Sequence, residues 1–305
     1  MLFASSPRTS GGMMQRPLVN ITVVTHNRLA LTRRTIESVL RHTREPHSLC
    51  VVDNASDDGT RAYLRELLAQ GRIQHLTLFE KNMGVACACN TGWAAADAEF
   101  FLKLDNDMEV LHNGWLTNLT QFFKPGANVG AVAYKVIADN AVPSLYVGPT
   151  AVFEVEFCGG ACLLTSRAVR AQLGNFCEDY GVYGEEDSDF GVRVGMSGRM
   201  NIAVDGAGHV LHNADQSYDS RMLPLKSRLA RKRNIEQFQA NVHAYDTGLR
   251  PLRVGRRFLP VHGAHLTSCA LCESYKLEAL VWNRFRKVIC FATQDIVSDH
   301  LSQCL

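Results

Sequence analysis

Within its first hundred or so residues the chain alternates four times between a short apolar run and a helix-patterned segment. This alternation limits the fold more than any other feature. The run "LVNITVVTHNR" is apolar from Leu18 to Val24 and then turns polar. The segment "LALTRRTIESVLRHT" follows, with Leu29, Leu31, Ile36, Val39 and Leu40 on one helical face. "LCVVDNASDDGT" is a second apolar run, ending at Asp53; "SDDGTRAYLRELLAQG" opens with capping residues and closes on Gly71, as a helix does. "IQHLTLFE" reads as a third strand, "GVACACNTGWAAADA" as a helix of small residues, and "FFLKL" as a fourth strand. Strand and helix in strict turn imply an α/β fold, with a mostly parallel central sheet flanked by helices.

Ligands of such sheets bind outside the carboxyl ends of the strands. Three strands end there in polar groups, "THNR", "DNAS" and "DND". The last belongs to "AEFFLKLDNDMEV", where an apolar run stops at Asp105, Asn106 and Asp107. Two carboxylates this close repel, and one resists ionisation unless a cation stands near. Carboxylate oxygens suit Mg2+ and Mn2+, and such a pair leaves coordination positions for water and phosphate oxygens. An isolated D-x-D is equally compatible with a solvated strand end closed by an Asx-turn.

After residue 128 the pattern changes. "VGAVAYKVI" and "YVGPTAVFEVEFCGGACLLT" are strand-like, and "SRAVRAQLG" is a short helix with Ser166 as N-cap. "NFCEDYGVYG" reads as a loop, "EEDSDFGVRVGMSG" as a helix, and "MNIAVDGAGHVLHNADQS" as one or two strands. From about residue 218 the chain reads as helix and loop, with a basic helix at "KSRLARKRNIEQFQANVHAY". The expected organisation is a flexible leader over 1–17, a main α/β domain over 18–217 and a helical C-terminal extension over 218–305.

The chain has 305 residues, 46% of them apolar and 20% charged, with a net charge of +2. That balance suits a globular domain and gives no electrostatic case for nucleic acid. No segment approaches the roughly 20 uninterrupted apolar residues of a membrane span. Cys50, Cys87, Cys89, Cys158 and Cys162 lie within apolar segments, where cysteine acts as a small hydrophobe rather than a disulfide partner. A reducing, cytoplasmic compartment is the expectation.

The order "ITVVTHNR", "CVVDNASDDGT", "KNMGVACACNTGW", "FFLKLDNDMEV", "FCGGACLLTSRAV", "LGNFCEDYGVYGEEDSDFGVRV" and "HVLHNADQS" resembles the family 2 glycosyltransferases, over roughly residues 19–217. Rhamnosyl- and galactofuranosyltransferase-like members share these motifs. The resemblance implies a GT-A fold, Rossmann-like, with a C-terminal extension. It implies a nucleoside-diphosphate sugar donor, Mn2+ or Mg2+, and a hydroxyl acceptor on a glycan or lipid-linked glycan. Thr25, Asn27 and Arg28 would line the nucleotide pocket, Asp53 would accept hydrogen bonds from the base, and Asn82 would lie near the nucleotide. Asn82 and Asn90 are expected to flank the small-residue helix. Asp105 would face ribose or metal and Asp107 would bind metal, with His212 as a third ligand and His209 less favoured.

"GEEDSDF" resembles the family's E-D-x-D motif. By that resemblance Asp187 is the base of an inverting transfer and Glu186 positions the acceptor hydroxyl. Asp189 pairs with Arg193 four residues on, a structural role. Without the upstream motifs the cluster would read as acidic capping of a helix. Gly159 and Gly160 would let backbone approach the sugar. Two positions depart from the family: His26 stands where it often has tyrosine, and Cys177 where it often has aspartate.

Other readings carry less. Haloacid dehalogenase phosphatases also place D-x-D after a strand, but they expect Thr or Val where Glu109 stands. Nucleotidylyltransferases open with a glycine-rich phosphate loop, which "TVVTHNR" lacks. A non-catalytic sugar-nucleotide binder or scaffold is the alternative from another class. In the tail, His262, His265, Cys269 and Cys272 are candidate zinc ligands in a spacing that matches no zinc module. "LKSRLARKRN" is a candidate contact for an anionic acceptor or a membrane surface, and the extension is a candidate oligomer surface.

Overall fold

The structure is a computed structural model that describes residues 18–135, 141–213, 228–260, 281–282 and 288–290. The alternating half forms as its pattern requires: β1 (Val19–Thr25), α1 (Leu29–His42), β2 (His47–Asp53), α2 (Thr60–Ala69), β3 (His75–Leu78), α3 (Val85–Ala95) and β4 (Phe100–Asp105). Every residue of β1 is buried, because it lies between two parallel neighbours and under helices. The second half contributes β5 (Met108–Val110), α4 (Trp115–Thr120), β6 (Val129–Lys135), β7 (Leu145–Val147), β8 (Thr150–Val155), β9 (Cys162–Ser166), α5 (Arg167–Leu173), α6 (Glu186–Met196), β10 (Met200–Asp205) and β11 (Val210–His212).

Nine strands make one sheet in the order β3-β2-β1-β4-β9-β6-β10-β8-β7. β8 and β9 run against the other strands, so the sheet is mixed but mostly aligned one way. The parallel register pairs Thr25 with Asp53, and Val24 with Asp105. The polar ends of β1, β2 and β4 therefore emerge side by side at one edge. β9 enters from that edge beside β4, pairing Cys162 with Leu104. A separate two-stranded ribbon, β11 with β5, sets His212 opposite Met108.

The small-residue helix α3 packs as closely as its composition suggests. A Cβ on Gly92 would come within 2.3 Å of the Thr22 side chain on β1. Trp93, one residue on, sits in a buried aromatic cluster with Phe101, Phe176 and Phe190. α5 starts at the expected cap: the Ser166 side chain accepts from the Val169 N–H. The cysteines at 50, 87, 89, 158, 162 and 177 are all free and buried. No helix among the described residues is long and apolar enough to cross a membrane.

The C-terminal extension differs in part from the helix-and-loop reading. α7 (Arg228–Asp246) is helical as expected, with Arg231, Lys232 and Arg233 exposed. Beyond it, β12 (Phe258–Pro260), β13 (Val281–Trp282) and β14 (Val288–Cys290) pair as a small antiparallel sheet. β14 pairs with β12 over three residues and with β13 over two. α7 does not stand apart as a separate lobe. Tyr245 on it donates to Asp189 on α6, Asn234 reaches the Tyr183 carbonyl, and Val254 pairs with Leu173 and Asn175 through backbone bonds. Residues 1–17 and the candidate zinc residues His262, His265, Cys269 and Cys272 lie outside the described residues.

Candidate active site

The loops after β1, β2 and β4 are knotted together by side chains. The Asn27 N–H donates to Ser56 Oγ at 2.7 Å, and the Asp57 N–H donates to Asn27 Oδ1 at 2.9 Å. Asn106 lies beneath them, its amide donating to Thr32 Oγ1 at 2.9 Å and Thr25 Oγ1 at 3.2 Å. Thr25 is thus fully buried and holds the floor of the site. The middle residue of D-N-D, to which the sequence motif assigns no role, is its anchor.

Asn27 and Arg28 both adopt left-handed backbone, φ 55° and 59°. Two consecutive non-glycine residues in that region are uncommon and mark a turn that the surroundings enforce. The turn aims Arg28 across the site: its guanidinium donates to Asp107 Oδ2 at 2.9 Å and to Asn106 Oδ1 at 2.5 Å.

Asp107 meets its second cation through the β5–β11 ribbon. The Asn213 N–H donates to the Asp107 carbonyl, which brings His212 Nε2 within 3.4 Å of Asp107 Oδ1. Burial alone would raise the Asp107 pKa, but His212 and Arg28 outweigh it and draw the carboxyl down to about 2. The His212 imidazole moves up in turn, chiefly through Asp107. Asp107 Oδ1 is buried and has no hydrogen-bond partner. An ionised oxygen without a donor, facing an imidazole nitrogen, suits a shared divalent ion. His209 is not part of this set; its ring stacks on Tyr134.

Asp105 points elsewhere. Its Oδ1 accepts from the Lys103 ammonium at 2.6 Å. Among the described residues no cluster of three His, Cys, Asp or Glu side chains is disposed to hold a metal. Of the expected ligands Asp105, Asp107 and His212, the last two face each other, and Asp105 lies beside them on the Lys103 ammonium.

Asp53 is fully buried at the end of β2, and burial raises its pKa against the opposing effects of Ser56 and Arg61. Its Oδ2 accepts from the Ser56 N–H at 3.0 Å and lies 3.2 Å from Arg61 Nε, while Oδ1 has no donor. His26 bonds the Asn54 carbonyl through Nδ1 at 2.7 Å, so its ring is committed to the β2 loop. Asn82 caps the turn into α3, accepting from the Gly84 N–H at 3.0 Å. Asn90 does not flank α3 as expected but lies inside it, buried, donating to the Phe176 carbonyl and to Glu178.

The acidic cluster opens α6. Glu185, at φ 67°, turns the chain into the helix, and Glu186, Asp187 and Asp189 occupy the first turn, where they complement the helix dipole. Asp187 is half-buried, and its Oδ2 accepts from the Gly160 N–H at 2.7 Å. Glu186 is nearly fully buried, and burial with the neighbouring Asp187 charge pushes its carboxyl up to about 7. Gly160 is tightly enclosed: a Cβ would lie 3.0 Å from both Asp187 Oδ2 and Lys103 Nζ. Gly159 meets no such constraint.

Asp189 and Arg193 form a buried ion pair at 2.7 Å, with both side chains at 0% exposure. Cys177 packs beside this pair and accepts from Asn241 and Arg250, a weak acceptor where a carboxylate would carry charge.

This arrangement has the GT-A fold. The mannosyltransferase PcManGT from Pyrobaculum calidifontis, solved in complex with GDP-Man and Mn2+, superposes with a TM-score of 0.56 over 75% of this chain and 65% of its own, at 22% identity. Residues 20–158 match the model of Glycosyl transferase family 2. Over those residues the chain is similar to the family 2 glycosyltransferases. The O-antigen biosynthesis protein RfbC of Myxococcus xanthus is 27% identical over 237 residues, 68% of this chain and 18% of RfbC. WfgD of Escherichia coli, a UDP-Glc:alpha-D-GlcNAc-diphosphoundecaprenol beta-1,3-glucosyltransferase, is 29% identical over 149 residues, 48% of this chain and 58% of WfgD. The chain spans less than two thirds of each of these proteins. Their names carry mannosyl and glucosyl transfer and O-antigen synthesis, none of them the rhamnosyl or galactofuranosyl subtype.

Proposed function

We propose that the protein is an inverting, metal-dependent glycosyltransferase. It moves a sugar from a nucleoside-diphosphate donor to a hydroxyl of a glycan or lipid-linked glycan in cell-surface polysaccharide assembly. The observation that carries this reading is the pairing of Asp107 and His212: a buried, ionised oxygen without a donor, 3.4 Å from an imidazole nitrogen, at the carboxyl edge of the sheet. The O-antigen role in the name of RfbC and the diphosphoundecaprenol-linked acceptor in that of WfgD support the setting.

Asn27 and Arg28 line the diphosphate side of the pocket, Thr25 shapes its floor, and Asp53 and Asn82 border the nucleoside. Asp105 faces the ribose. A divalent ion, held by Asp107 and His212, would supply Lewis-acid stabilisation of the departing diphosphate. Asp187 takes the proton of the acceptor hydroxyl as that oxygen bonds to the anomeric carbon. The bond from the anomeric carbon to the diphosphate oxygen breaks, its electrons leave with the nucleoside diphosphate, and the configuration inverts. Glu186 and the Gly160 backbone position the acceptor.

The test is Asp107→Ala. Turnover is expected to fall about a thousandfold, on the order of 4 kcal/mol of transition-state stabilisation. Circular dichroism and the thermal midpoint should stay near wild type. Full activity in the variant would remove the metal assignment.

A further inference from the structure

Lys103 is the one charged residue inside the apolar run "FFLKL". Its side chain is 2% exposed, within the sheet, and a buried ammonium is costly unless it is paired and hydrogen-bonded. Alternation along a strand puts residues two apart on one face, so Lys103 and Asp105 project together from β4. The ammonium donates to Asp105 Oδ1 at 2.6 Å and to the Gly160 carbonyl at 2.5 Å. The same Gly160 gives its N–H to Asp187 Oδ2 at 2.7 Å. One glycine is thus gripped at both ends, and a Cβ there would crowd both Lys103 and Asp187.

We propose that Lys103 is a resident cation of the site with two effects. It engages Asp105, which leaves the divalent ion to Asp107 and His212, and it holds Gly160 so that the donor strand and the base Asp187 keep a fixed relation. The proposal rests on the glycosyltransferase reading above. An ammonium 2.6 Å from Asp105 Oδ1 repels a dication from that oxygen, and more strongly in a partly desolvated site than in water. Lys103 is a positioning residue: it touches Asp105 and Gly160, and acts on the reaction through them.

A merely structural lysine and a resident cation predict opposite changes in metal affinity. Mn2+ binding to the protein without nucleotide, read by electron paramagnetic resonance, separates them. Lys103→Met should bind Mn2+ at least about fivefold more tightly than wild type, because Asp105 becomes free to join the ligands. Asp105→Asn alone should shift Mn2+ affinity less than about twofold, and Lys103→Met with Asp105→Asn should return to the wild-type value. With a sugar nucleotide that wild type hydrolyses, Lys103→Met should lower kcat about a hundredfold and leave KM within about threefold, as expected when alignment rather than binding is lost.

Unchanged or weaker Mn2+ binding in Lys103→Met overturns the proposal. So does a tenfold loss of Mn2+ affinity in Asp105→Asn, a variant that does not depend on Lys103→Met folding. Failure of wild type to bind any nucleoside diphosphate would instead remove the glycosyltransferase reading itself.

Discussion

Asp187→Asn is expected to lower turnover by about 10²–10⁴-fold, the usual contribution of a general base, while nucleoside diphosphate affinity stays within about threefold of wild type. The substitution keeps the shape of the side chain and removes the ability to take a proton. Asp187 accepts N–H bonds from Gly160 and from Ser188, through one oxygen each, and still has lone-pair capacity toward the pocket. It is half-buried, so an acceptor hydroxyl can reach it, whereas Glu186 beside it is almost wholly enclosed. Burial and the neighbouring Asp187 charge push the Glu186 carboxyl up to about 7, which favours its protonated, hydrogen-bond-donating form more than in an ordinary glutamate. Steady-state transfer assays with calorimetry on the same protein make the comparison. Transfer near the wild-type rate in Asp187→Asn would move the base to another residue, with Glu186 first in line.

The largest expected effect on stability is at Asp189. Asp189→Ala should cost about 3–5 kcal/mol, because it strands the buried Arg193 guanidinium without its carboxylate. Arg193 spends its remaining donors on the carbonyls of Leu173, Asn175 and Leu252, and Asp189 also accepts from the hydroxyls of Tyr180 and Tyr245. The pair therefore ties α6 to α5 and to the chain beyond α7. At about 2–4 °C per kcal/mol for a domain of this size, the thermal midpoint should drop by roughly 6–20 °C. Replacing both partners by apolar residues, Asp189→Leu with Arg193→Met, should recover part of the loss, since no unpaired charge remains. A loss below about 1 kcal/mol in urea titration of Asp189→Ala would mean that the pair is not the clasp described here.

Much of this was legible in the sequence because its signals are local and periodic. The four strand–helix alternations, the Ser166 cap and the polar ends of β1, β2 and β4 all follow from neighbours a few residues apart. What the sequence hid was long-range. Nothing in "FFLKL" shows that Lys103 folds back on Asp105 and Gly160. Nothing in "DND" shows that Asn106 reaches Thr32, 74 residues earlier. Hydrophobic periodicity placed Ile36 and Val39 in the core but had no means to place Thr32, Thr35 and Ser38, which are just as buried in α1. Thr32 bonds Thr25 and Asn106, and Ser38 accepts from the Val110 N–H, partners that only the fold supplies. The Asp105 contact was hidden for the same reason: an acidic pair in sequence does not reveal that one member already has a cation.

Of all the measurements, calorimetry with UDP, GDP, dTDP and CMP, each with and without Mn2+, tests the central claim most directly. The account predicts that one nucleoside diphosphate binds, that Mn2+ strengthens its binding, and that Asp107→Ala removes the Mn2+ effect. Folded wild-type protein that binds none of the four under either condition would contradict it.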